Sequence, residues 1–285
     1  NNKVFNNTNP KLSIVDDIVL HGGKLRYSNS VLGDGTYRMS LSDDFAEDVN
    51  SMWDLCRTDP AQWNMNLNAL ELLSHYKMQD DDPLDFFLTF RYAEEPTPAA
   101  GYVAAKISVR GLKGGHSGIQ IVCQRANANK LLFRLLNAAP CPLLLCSVDG
   151  GGLRNAIPRE AEAVLTLPKE NKDDLIELVN NYRETFNDEY KGIEEGIEVL
   201  VEDVALPANI VPQEIQDNLV DAIYAAHDGV WRYIPSIPNI VETSSNLAIV
   251  DIENGKAAVK ILARISGETK KDEVATALES CFNMA

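Results

Sequence analysis

The chain has 285 residues, 45% of them apolar and 24% charged, which is enough to bury a core in one large domain or two smaller ones. Twenty-six Lys and Arg against 42 Asp and Glu leave a net charge of −16, and such a surface repels phosphate backbones and anionic lipid. Nucleic acid and membrane are therefore not expected partners. No apolar run approaches the roughly 20 residues of a membrane span, and Asn1 to Phe5 lack a basic region leading into an apolar one, so a cytoplasmic protein is expected.

Residues 1–84 carry a short apolar alternation around Leu12–Leu20, glycines at Gly22-Gly23 and Gly33-Asp34-Gly35, and an acidic run near Asp43–Asp48. A weakly amphipathic segment follows from Trp63 to Tyr76, then a solvated turn at Asp80–Pro83. From Asp85 onward the pattern is regular. Val103, Ala105, Ile107 and Val109 alternate with Lys106, Ser108 and Arg110, which predicts a half-buried strand. After the turn Gly114–Gly118, a helix is expected over Ile121–Leu136, then strands at Leu143–Val148 and Ala161–Leu167. A second helix carries Leu175, Leu178, Val179, Tyr182 and Phe186 at helical spacing.

The same order then repeats. A strand at Ile197–Val201 precedes a helix after Pro212, with Gly229 as its expected C-cap. Strands at Leu247–Ile252 and Val259–Ile265 are joined by Asn254-Gly255, a strong hairpin signal. A last helix is expected from Thr269, with Asp272 close to a capping box. The predicted fold class is α/β in the broad sense (α+β): two consecutive β-α-β-β-α, ferredoxin-like units sharing a sheet, with helices on one face.

Two loops have the composition of a site. Arg110 to Gly118 places four glycines around His116 and Ser117 at a strand end, where an exposed imidazole can meet a carboxylate or a developing oxyanion; a tight turn with a solvent-facing histidine is the plainer reading. Gly150 to Arg159 sets Arg154 and Asn155 behind three glycines, either as a carboxylate clamp with an amide donor or as a flexible connection. Arg264 stands in an apolar strand on the face opposite Val259, Ile261 and Ala263, at an edge or toward a ligand. Val241 to Asn246 is a polar lead into a strand or a capping loop. The five cysteines, Cys56, Cys123, Cys141, Cys146 and Cys281, form no CxxC pair and read as free thiols. The four histidines stand in no His-x-Asp or HExxH pattern, so no metal centre is recognisable.

Taken in order, Phe90 to Tyr102, GLKGGHSG at 111–118, Asn127 to Leu132, LRNAIPRE at 153–160 and Val241 to Asn246 resemble the aminoacyl-histidine (Xaa-His, carnosine-type) dipeptidases, cytosolic di-zinc exopeptidases. The match covers about residues 85–285 and corresponds to the family's lid, or dimerisation, domain. Residues 1–84 would then be a divergent or truncated remnant of an α/β catalytic domain. By this resemblance His116 would polarise the scissile carbonyl, commonly in the partner subunit's site. Asn155 and Arg264, with Arg154 as a further candidate, would contact the substrate's backbone and carboxylate. The resemblance also implies two zinc ions, a dipeptide substrate and a homodimer. Of the zinc ligands only Asp34 has an echo of the bridging segment around it. Two functions follow: a dipeptidase of which this chain carries mainly the substrate-binding lid, or an inactive lid-type dimerisation or binding protein without the metal site.

Overall fold

The computed structural model describes residues 4–6, 36–38, 84–235, 240–265 and 268–283. The chain divides into two compact units, Asn1–Asp81 and Asp82–Ala285. In the first, β1 (Val4–Asn6) and β2 (Thr36–Arg38) pair antiparallel. The alternation at 12–20, the glycine stretches at 22–23 and 33–35, the acidic run, the segment at 63–76 and the turn at 80–83 all lie outside the described residues.

The second unit is built on β3 (Leu84–Arg91), β5 (Tyr102–Arg110), β7 (Leu144–Gly150), β9 (Ala161–Pro168), β10 (Glu198–Val204), β12 (Gly229–Tyr233), β13 (Val241–Glu253) and β14 (Lys256–Ile265). Short pairs are added by β4 (Glu95–Pro96) with β11 (Asn209–Ile210) and by β6 (Gly115–His116) with β8 (Ala156–Ile157). The helices are α1 (Ala128–Asn137), α2 (Lys172–Glu189), α3 (Gln213–Ala225) and α4 (Glu268–Asn283). The main sheet runs β10-β5-β9-β7-β13-β14-β3, with β12 against β13, and every pairing in it is antiparallel.

Alternation decides which side chains make the core. Ala105, Ile107 and Val109 of β5 join Leu131, Leu132 and Leu135 of α1, Leu175, Val179 and Phe186 of α2, Leu219 and Ile223 of α3, and Val274 and Leu278 of α4 in one buried cluster. Each large side chain so buried contributes about 1.5–3 kcal/mol. On the opposite face of β5, Lys106 pairs instead with Glu162 at 3.3 Å and Glu202 at 3.6 Å. The fold is α+β: β5-α1-β7-β9-α2 is one βαββα unit, and β14, β13 and β3 with α3 and α4 make the other on the same sheet.

Several details differ from the sequence expectations. Leu84–Arg91, not expected as a strand, forms β3 at one edge of the sheet. The strand expected to open the second unit, β10, pairs with β5 at the other edge and closes the first, giving the ferredoxin-like order β10-β5-β9-β7. The helix expected from Ile121 is interrupted. A short 3-10 turn at Ile121–Cys123 ends at Gln124 with φ 52°, and α1 begins only where the Asn127 carboxamide accepts the N–H of Asn129 at 3.0 Å and of Lys130 at 3.4 Å. Gly229 does not cap α3. The last carbonyls, of Ile223, Tyr224 and Ala226, accept instead from the Lys130 ammonium. The helix α4 starts at Glu268. The Asn254-Gly255 hairpin is present, with φ of 51° and 69° as a type I′ turn requires. Cys123, Cys141, Cys146 and Cys281 are free thiols; Cys56 is outside the described residues.

Candidate functional site

The loop after β5 is tied at both feet by one carboxylate: the N–H of Lys113 donates to Glu194 Oε2 at 2.8 Å and the N–H of Ala126 to Oε1 at 3.1 Å. Between them β6 pairs with β8, His116 opposite Ala156, and the N–H of Ser117 donates to the Asn155 carbonyl at 2.8 Å. The His116 N–H donates to Gln120 Oε1 at 2.8 Å, and the Gln120 N–H returns to the His116 carbonyl at 2.9 Å. Gly115 has φ 141°, which L side chains rarely adopt, and a Cβ there would stand 2.3 Å from Gln120 Oε1, so that side chain would have to move.

This arrangement selects a tautomer. His116 Nδ1 accepts the N–H of Gly118 at 3.0 Å and of Ile119 at 3.3 Å. A ring nitrogen that accepts must hold its lone pair, so in the neutral ring the proton sits on Nε2. The half-buried imidazole is thus oriented by its own loop as a hydrogen-bond donor.

Arg264 reaches the same loop from 148 residues further along the chain. Its side chain lies against Gly118, where a Cβ would come within 2.7 Å of the guanidinium Nε. Val259, Ile261 and Ala263 are core, so Arg264 does project from the opposite face, as its strand pattern predicts. Across the hairpin it is paired with Ser244, and Leu262 with Asn246. This register depends on a bulge. Extending the two-residue turn outward would set Ser245 opposite Arg264, but β13 gains one residue between Leu247 and Ile249, and Ser244 and Asn246 thereby share the face of Arg264.

The polar stretch Val241 to Asn246 is part of β13 itself and not a capping loop, and Thr243, Ser244, Ser245 and Asn246 are each at most 2% exposed. Ser245 Oγ donates to the His227 carbonyl at 2.8 Å and accepts from Trp231 Nε1 at 2.8 Å. Asn246 Nδ2 donates to the Ala156 carbonyl at 2.8 Å. Next to this stretch, Asp228 Oδ1 accepts the N–H of Leu247 at 2.7 Å and Asn127 Nδ2 at 2.8 Å. Burial pushes the Asp228 carboxyl up to about 6, against the pull of that N–H, Lys130 and the Asn127 amide.

The structure therefore brings His116, the Asn155 backbone and Arg264 together, and adds Asn246 to them. Arg154 is placed differently, with its guanidinium hydrogen-bonded to Asp85 on β3. Asp34 lies outside the described residues, and among those described no three His, Cys, Asp or Glu side chains gather where they could hold a metal ion. The zinc that the resemblance implies thus finds no ligand set there. Also among the described residues, no helix is long and apolar enough to cross a membrane.

An antiparallel sheet backed by helices, with a histidine ribbon on its other face, defines a class: residues 107–194 match the family described as a peptidase dimerisation domain. The chain is 34% identical over 204 residues to the cytosol non-specific dipeptidase of Escherichia coli, covering 71% of this chain and 42% of that protein. It also matches the crystal structure of aminoacylhistidine dipeptidase from Vibrio alginolyticus with a TM-score of 0.69 at 36% identity, covering 72% of this chain and 42% of that one. The resemblance read from the motifs holds: residues 107–194 match a peptidase dimerisation domain, within a stretch of the chain similar to both dipeptidases. The chain spans less than half the length of either relative.

Proposed function

We propose that this chain acts in the hydrolysis of dipeptides with a C-terminal histidine, as the substrate-binding lid of a cytosolic metallopeptidase that works as a homodimer. The observation that carries this reading is the pair of backbone N–H groups on His116 Nδ1, which leaves the ring proton on Nε2 in a loop against which the Arg264 side chain lies. In this role the Nε2–H donates to the oxygen of the scissile carbonyl, and the bond strengthens as negative charge develops there. Arg264 takes the substrate carboxylate in bidentate fashion, and the Asn155 amide holds the peptide backbone. Arg154, already shared with Asp85, contributes at the rim of the site. Zinc, two ions by the resemblance, belongs to ligands beyond the described residues. The share of the described residues is binding, orienting and hydrogen-bond donation.

The test is hydrolysis of β-alanyl-histidine, and of dipeptides lacking histidine, by the full-length protein with zinc added, beside its mass by light scattering. Turnover selective for the histidine dipeptide by a dimer is the expected result. His116→Ala should lower kcat by about 10²–10³-fold, the usual effect of losing one oxyanion donor, with thermal stability kept. A fully active His116→Ala protein would overturn the role.

A further inference from the structure

We infer that Asn246 is a positioning residue for His116, holding the β6/β8 ribbon at a fixed height over the sheet; the inference rests on the reading of His116 as a donor to substrate. The Asn246 side chain is 1% exposed and lies on the face of β13 that carries Ser244 opposite Arg264. Its Nδ2 donates to the Ala156 carbonyl at 2.8 Å, and Ala156 is the residue directly opposite His116 in the ribbon. The carboxamide has one orientation there, since turning it over would set two oxygens against each other. Oδ1 then points away from the ribbon, where it is buried without a hydrogen-bond partner.

A half-satisfied buried amide is a poor packing element. Burial alone would be better met by an apolar side chain, as Leu262 directly across the hairpin, 2% exposed, illustrates. What the amide supplies is a link between a two-stranded ribbon and a rigid strand. Through Ala156 it sets the height of His116, and through the Ser117 N–H on the Asn155 carbonyl it sets the turn whose amides orient the ring. The second point of attachment is the Arg264 side chain against Gly118. Together the two contacts fix the histidine donor relative to the carboxylate-binding arginine, a separation that sets how well one dipeptide can meet both.

The experiment compares wild type with Asn246→Ala and with the isosteric Asn246→Asp in the full-length protein, by amide hydrogen exchange and by dipeptide kinetics. Exchange at Ser117, Gly118 and Ile119 should rise by about tenfold or more while the amides of β5, β9 and β14 stay protected. The kcat for β-alanyl-histidine should fall by about tenfold with KM little changed, and adding Asn246→Ala to His116→Ala should cost nothing further, because the two act as a unit. In Asn246→Asp the loss should shrink as pH falls, because the protonated carboxyl again donates to the Ala156 carbonyl. Unchanged exchange at the three amides, or losses that add in the double variant, would overturn the inference. A protein without turnover on any dipeptide would refute the proposed function, and the exchange experiment would still decide the role of Asn246.

Discussion

From Leu247 to Ile252 the strand β13 sets Leu247, Val250 and Ile252 into the core, all at 0% exposure, whereas from Thr243 to Asn246 it buries only polar side chains to nearly the same depth. The apolar half is stabilised by removal of its surface from water and asks for nothing more specific. The polar half gains little from burial and must be held by directed bonds, which tie it to His227, Trp231 and Ala156. Within that polar half the faces divide the work: Asn246, on the face of Arg264, bonds the His116 ribbon, and Ser245, on the face of Ala263, bonds His227 and Trp231.

This contrast can be broken by substitution. Ile252→Ala should cost about 2–5 kcal/mol in chemical denaturation, the range for a buried large-to-small change, and leave kcat per folded molecule unchanged. Thr243→Val should do the opposite. The Thr243 hydroxyl is buried without a hydrogen-bond partner, so an isosteric methyl should be neutral or stabilise by up to about 1–2 kcal/mol. A clear loss of stability on Thr243→Val would mean that the hydroxyl is bonded after all and that the polar half is better satisfied than it looks.

The smallest effect concerns the junction between the halves, where Asp228 holds the Leu247 N–H. A carboxyl raised in the folded state binds its proton more tightly there than in the unfolded chain. Its stabilisation is therefore complete below the ordinary carboxylate pKa of about 4 and is lost as pH rises through about 6. Asp228→Asn, which keeps an oxygen acceptor for Leu247 and Asn127, should flatten the fall in unfolding free energy across that window. Denaturation midpoints at several pH values would check it, and an unchanged slope would remove Asp228 as its source.

Much of this was legible from local pattern. The alternation of Val103 to Val109, the Asn254-Gly255 turn and the placing of Arg264 away from Val259, Ile261 and Ala263 all follow from strand geometry, and all three are present. The glycine-flanked His116 was legible as a candidate because four glycines at a strand end present an imidazole, although the same composition also suits a plain tight turn. The break before α1, set by the local Asn127 cap, was not read from the apolar run that crosses it; nor were the Lys130 bonds to the end of α3, which span 93 or more residues. Nor was the pairing of Arg154 with Asp85, which depends on β3 forming the sheet edge.

By itself the sequence determined the class of fold, two βαββα patterns with their turns, and the residue types able to bind a carboxylate and polarise a carbonyl. Periodicity and turn chemistry are local, and local rules suffice for them. Which of those residues meet was decided only in the tertiary structure. One extra residue in β13 reverses the faces of Ser244 and Asn246, and Gly118 gives Arg264 the space to lie against the histidine loop. Both depend on strand register and close approach between distant segments, and a shift of a single residue there changes every neighbour of the site.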